Sequence, residues 1–206
     1  MAKLRWFLTL AVSASCLLGV PNHVSAQGAY GSWGMLGAGT GSANIECDGC
    51  TSGRKLRGPT LLSTVGFMFK PHLGIGLGLD QWWRSPQDSE ATSLGAVVLH
   101  YYPNIRGRAF VEGGLGYSRA EVWLNDLHTA RGRGWGLMTA VGYNVRMHRF
   151  HDGDYVTSDL TLTPRVSYAY SSIGALRYGA GRPPFATGWR NQVLSAGLGV
   201  GYRFAR

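Results

Sequence analysis

Charge and long apolar runs are both scarce in this sequence. Only 15% of its 206 residues are charged, where a soluble domain normally carries about a quarter. Beyond residue 26 no stretch approaches the ~18 consecutive apolar residues that a transmembrane helix needs. The first shortage makes an ordinary water-facing surface hard to build, and the second excludes helical membrane insertion. No segment of useful length shows the 3.6-residue period of an amphipathic helix. Cysteine is sparse as well, with three in the chain, which excludes a disulfide-dense scaffold. Strands that cross a membrane remain, because each needs only about 10 residues of alternating polarity.

Glycine is abundant, with 31 residues, about twice the usual share. It falls in a pattern. In Asn191 to Arg206, "NQVLSAGLGVGYRFAR", Leu194, Ala196, Leu198, Val200, Tyr202 and Phe204 alternate with Ser195, Gly197, Gly199, Gly201 and Arg203. A period of two marks a strand with two unlike faces. The same rhythm runs through "LGIGLGLDQWW", "AFVEGGLGYS", "GWGLMTAVGYNV" and "LTLTPRVSYAY". "TLLSTVGFMFK" and "LGAVVLHYY" fit less cleanly, and the facing of "SWGMLGAGTG" stays open. The pattern predicts eight strands near 31–41, 60–70, 73–84, 93–102, 108–122, 134–147, 156–171 and 191–204. Short connections (Pro71-His72, Pro103 to Gly107, His148 to Asp154) alternate with longer polar ones at 42–59, 85–92, 123–133 and 172–190. A soluble barrel would turn its glycine face to water, a poor surface for solubility. In lipid the apolar face points outward and the small and polar residues fill the lumen. The expected fold is therefore all-β, an eight-stranded antiparallel up-and-down transmembrane β-barrel. Trp82, Trp83, Tyr101, Tyr102, Tyr117, Trp123, Trp135, Tyr202 and Phe204 are expected in aromatic girdles at its rims.

Residues 1–26 read as a cleaved signal peptide, with Lys3 and Arg5 before an apolar core and Val24-Ser25-Ala26 before the cut. Residues 27–206 form the barrel domain. Cys16 lies inside the apolar core without the leucine of a lipid-attachment box, so lipidation is not expected. Without the signal the chain keeps 18 basic and 11 acidic side chains, a net charge of about +7. The basic residues are scattered, so nucleic acid is not an expected partner. Cys47 and Cys50 in "ECDGCTSG" are expected to form a small disulfide, since the motif sits in a polar loop and has no second C-x-x-C to complete a zinc site.

Glycines at strict spacing of two, with no helix behind them, do not form a dinucleotide fingerprint. "HRFHDGD" offers His148, His151, Asp152 and Asp154, but a polar turn on Asp152-Gly153 explains it better than a metal site. No histidine lies beside a serine in a nucleophile–base arrangement. No catalytic residue, metal site or cofactor is expected. The chemically informative set is the inward charges, which by alternation are Lys70, Asp80, Arg84, Glu112, Arg146, Arg165 and Arg203. Buried charge must be paired, so Asp80 and Glu112 are expected to be bridged by arginines.

"YYPNIRGRAFVEGGLGYS" (Tyr101 to Ser118) and the terminal "LSAGLGVGYRF" resemble the OmpA/OmpX-type outer-membrane β-barrel family over essentially all of 27–206. The resemblance implies a bacterial outer-membrane location and a final aromatic residue read by the outer-membrane assembly machinery. Phe204 matches that position, with Ala205 and Arg206 beyond it. Implied partners are outer-membrane lipids and lipopolysaccharide, together with a surface ligand of unspecified chemistry. The expected role is non-enzymatic, in membrane integrity or surface interaction and adhesion. A small pore and a lipid-modifying barrel enzyme are the alternatives.

Overall fold

The computed structural model describes residues 31–48, 55–84, 89–104, 108–125, 128–152, 156–178 and 184–205; the signal-like stretch lies outside them. Nine strand segments follow one another: β1 Gly31–Asp48, β2 Lys55–Lys70, β3 Leu73–Arg84, β4 Ser89–Tyr101, β5 Ala109–Asn125, β6 His128–Tyr143, β7 Val145–Asp152, β8 Val156–Arg177 and β9 Pro184–Ala205. Sequence neighbours other than β6 and β7 pair antiparallel, β1 pairs with both β2 and β9, and β6 pairs with both β5 and β8. β6 and β7 are two halves of one stave interrupted at Asn144, and both lie against β8. The result is a closed barrel of eight staves. Closure pairs the edges that an open sheet would leave bare, as a hydrocarbon surrounding requires. Gly31 stands opposite Ala205, so both termini meet at one end. The long hairpins project from the other.

Alternation decides what each face meets. Leu115 is 62% exposed and Leu36 61%, and Leu77, Val97, Leu194, Leu198 and Val200 share that outer face. A continuous apolar band of this size is unstable in water and is satisfied by lipid. The lumen takes the opposite set, including Thr64, Glu112, Ser118, Arg165, Ser167 and Ser195, all buried. On β1, Trp33 and Met35 point inward and Leu36 outward, which resolves the open facing of that strand.

The glycines face one another. Gly37 pairs with Gly199, Gly39 with Gly197, Gly66 with Gly76, and Gly116 with Gly136. A Cβ on Gly39 would collide with the carbonyl oxygen of Ala196, and one on Gly199 would sit 2.9 Å from Met35 Cγ. Small residues at these seams let steeply tilted strands approach and leave room for the few large side chains that plug a narrow barrel.

Two sequence expectations are corrected. The polar stretches 42–59, 123–133 and 172–190, read as loops, are largely strand, and β4 takes in the second half of 85–92: β1 runs to Asp48, β2 begins at Lys55, β4 at Ser89 and β6 at His128, and β8 and β9 reach Arg177 and Pro184. They were polar because the hairpins leave the apolar band, where the outer face needs charge, not because the ladder ends. Inside these extensions Ala120, Val122, Ala130, Ile173, Leu176, Ala186 and Trp189 form an apolar core. Polarity thus inverts along the same strands. Second, Trp82 and Tyr102 are buried in the lumen and take no part in a girdle. Trp82-Trp83 and Tyr101-Tyr102 are adjacent pairs, and two successive strand residues cannot face the same side.

Candidate functional site

The lumen is filled in layers. Near the terminal end, Arg203 lies over the Tyr102 ring, its Cζ 4.9 Å from the centroid. Asn144 Nδ2 donates to Tyr102 Oη at 2.9 Å, and Thr163 Oγ1 donates to Asn144 Oδ1 at 2.9 Å. Asn144 breaks the β6–β7 strand, so its amide serves this layer at the point where the ladder is interrupted.

Deeper, β4, β5 and β8 bring together His100, Glu112 and Arg165. His100 Nδ1 donates to Glu112 Oε1 at 2.8 Å, and Arg165 Nη2 lies 2.8 Å from Glu112 Oε2. All three are nearly inaccessible to solvent. The His100 ring is enclosed by Trp33, Tyr102 and Phe110, with centroids 4.4, 4.7 and 4.6 Å away. Opposite charges at this distance offset much of the desolvation penalty. Removing one partner would strand the other in a low-dielectric interior, at a cost of about 3–5 kcal/mol. Asp80 makes a different contact: its Oδ2 accepts from Ser167 Oγ at 3.1 Å, and Ser167 is joined to Ser195 at 2.6 Å. Beyond it Ser118 donates to Ser171 at 2.7 Å and Asn191 Nδ2 to Thr92 Oγ1 at 2.5 Å. The cavity bounded by Trp33, His100, Tyr102 and Arg203 holds about 20 Å³, room for roughly one water.

The seven inward charges expected as one network therefore occupy separate places. Glu112 and Arg165 pair directly, Asp80 is held by a serine, and Arg203 covers Tyr102. Lys70 is exposed at the end of β2, where the ladder slips between Met68 and Lys70 and alternation no longer holds. Arg84 ends β3, partly exposed. Arg146 belongs to the β7–β8 hairpin, which extends past the closed wall; among the described residues β7 pairs with β8 alone, and the ladder shifts between Arg146 and His148. Arg146 Nε contacts Asp159 Oδ2 at 3.1 Å, and Arg149 grips the same carboxylate at 2.8 and 3.2 Å. The Arg149 hydrogen bonds above all, with the Arg146 charge beside them, hold the Asp159 carboxyl below the usual carboxylate range against the opposing effect of partial burial. His148 to Asp152 is strand here, so the connection expected over His148 to Asp154 is shorter than expected; Gly153 and Asp154 lie outside the described residues.

The His100 position was legible as a polar residue on a β4 that alternates poorly. Its partners were not, because strands β5 and β8 meet it only after the barrel closes. Cys47 is disulfide-bonded; its expected partner Cys50 lies outside the described residues. Phe204 pairs with Ser32 on one side and Ser158 on the other, at the terminal rim.

No protein-family model and no curated protein sequence matches the chain. Solved structures do. Ail, the attachment invasion locus protein of Yersinia pestis, crystallised with the heparin analogue sucrose octasulfate, is 15% identical; the match covers 86% of this chain and 99% of that one, with a TM-score of 0.51. Neisserial surface protein A is 17% identical over 82% of this chain and 95% of its own, with a TM-score of 0.49. With closure, eight staves and an outer apolar band already in place, the chain has the fold of the small eight-stranded outer-membrane barrels.

Proposed function

We propose that the protein is a non-catalytic integral barrel of the bacterial outer membrane, exported through its signal peptide. It acts in surface interaction, adhesion and envelope integrity through the hairpins opposite its termini. One observation carries this reading: polarity inverts along β5, β6, β8 and β9, so these hairpins leave the membrane as folded, apolar-cored extensions. A rigid projection of this kind presents a fixed surface, as adhesive barrels need, and loses little entropy when it engages a partner. The likeness to Ail, an attachment protein by name, agrees with it. The filled lumen speaks against the pore: Glu112 and Arg165 pair across it, and Trp33, His100, Tyr102 and Phe110 pack together at its terminal end. The enzyme reading has little support: His100 is committed to Glu112 inside the wall, away from the outer face where an acyl chain would lie.

The test is paired. Bacteria displaying the protein should adhere to host-cell or matrix surfaces more than cells lacking it, while the refolded protein in planar bilayers should give no discrete current steps. Regular conductance steps without a gain in adhesion would overturn the proposal in favour of the pore.

A further inference from the structure

Along the outer face of β6, reading away from the termini, stand Val141, Thr139, Leu137, Trp135, Arg133 and Arg131. On β5 the same sequence of environments reads Val111, Leu115, Tyr117 and Arg119. Tyr117 and Trp135 are each about half exposed, and Trp135 contacts Tyr170 of β8 at 5.5 Å between centroids. Aromatic rings of this kind sit at the level where hydrocarbon gives way to headgroups. Arg119 and Arg133 lie one outward residue above them, about 7 Å along the strand, and Arg131 one outward residue further, at the level of lipid headgroups.

This basic face is costly for the protein alone. Arg119 stands directly opposite Arg133 across β5–β6, and Arg131 stands opposite Arg177 across β6–β8. Like charges in direct cross-strand register destabilise a ladder. The outer-face carboxylate among them is Glu121, which bridges Arg119 and, at 3.3 Å, Arg131. With Arg190 on β9, five guanidinium groups face that one carboxylate, a surplus of four positive charges. Glu46, opposite Arg190 on β1, trims the surplus to three at that edge. At the same height β3 and β4 offer the uncharged Gln81 and Ser93. Lys55 and Arg57 of β2 are exposed as well, opposite uncharged Asn44 and Ser42, so what sets the β5–β6–β8 face apart is its directly opposed arginines above a lipid-facing aromatic belt.

We infer that this face docks the phosphate groups of outer-leaflet lipids. Guanidinium pairs grip phosphate in bidentate fashion, while the acyl chains run down over Tyr117, Leu115 and Leu137. A phosphate between Arg119 and Arg133, or between Arg131 and Arg177, would relieve the repulsion that the ladder builds in. The inference rests on the membrane reading above and adds to it a lipid class and an address.

The experiment uses the full mature chain refolded in phosphatidylcholine vesicles, with insertion scored first by heat-dependent gel migration. Lipid retention is then measured after detergent extraction, for vesicles doped with bisphosphorylated lipid A or with its dephosphorylated form. Phosphorylated lipid A should be retained and the dephosphorylated form should not. The Arg133→Gln/Arg177→Gln double variant should weaken retention by roughly twenty-five-fold, at about five-fold per basic residue. Arg133→Lys/Arg177→Lys, which keeps the charge and so the fold, should lose less. Failure to insert would sink the membrane reading itself. Insertion with equal retention of both lipids, or no change in the double variant, would overturn the docking surface. So would loss of binding to a soluble sulfated polysaccharide with lipid retention intact, since the arginines would then serve a soluble polyanion.

Discussion

Leu198 and Gly199 are adjacent and live in different solvents. Leu198 is half exposed on the outer wall, and Gly199 is buried against Met35. Replacing Leu198 by Arg puts a charge into hydrocarbon, at an expected cost of about 2–4 kcal/mol near the midplane. Leu198→Ala should cost far less, because a small apolar side chain still suits lipid. Gly199→Leu should cost about 1–3 kcal/mol by overpacking the lumen. Reversible urea unfolding in phospholipid vesicles measures all three. An order in which Leu198→Ala matches Leu198→Arg would mean that 198 does not face lipid. The inward residues show the limit of reading positions singly: Asp80 and Glu112 look alike in sequence, yet one is held by Ser167 and the other by Arg165.

The β7–β8 hairpin carries its own pH dependence. Arg149 and Arg146 depress the Asp159 carboxyl below its ordinary value of 3.8. A depressed carboxyl contributes stability that is fully present above that ordinary value and is lost as pH falls through the lower folded one. Asp159 is partly buried but its arginine partners are exposed, so the effect is modest. Wild type should therefore lose hairpin order on acidification below about pH 4, and Asp159→Asn should already lack that increment at neutral pH and change less below it. Amide exchange across 145–162 reads the difference, and identical acid profiles for the two proteins would remove Asp159 from this role. Element identity was readable where alternation was strict, as in β3, β5, β6 and β9. Their ends were not, because Arg131 and Arg133 alternating with Gly132 and Gly134 look like loop composition until a paired strand is seen beside them.

Closure makes the barrel cooperative: β1–β9 and β6–β8 join what are otherwise two sheet edges. The refolded chain should show a sheet-type circular dichroism spectrum and migrate as a compact species on gels until heated. It should do so equally with Cys47 reduced, because Cys47 lies past the last β1–β2 pair, Asn44 with Lys55. A helical spectrum would refute the fold, and loss of compact migration on reduction would place the disulfide in the barrel's stability.

Local chemistry sufficed to write the barrel into the sequence. A two-residue period, glycine on one face, aliphatic residues on the other and too little charge for water allow few arrangements other than strands closed in lipid. Which polar groups meet inside could not be read in the same way. His100, Glu112 and Arg165 lie on three strands up to 65 positions apart, and their contact depends on the stagger of the closed sheet, which no local pattern encodes. The same holds for the opposed arginine pairs. Arg131 and Arg177 become neighbours only because β8 returns to β6 to shut the wall.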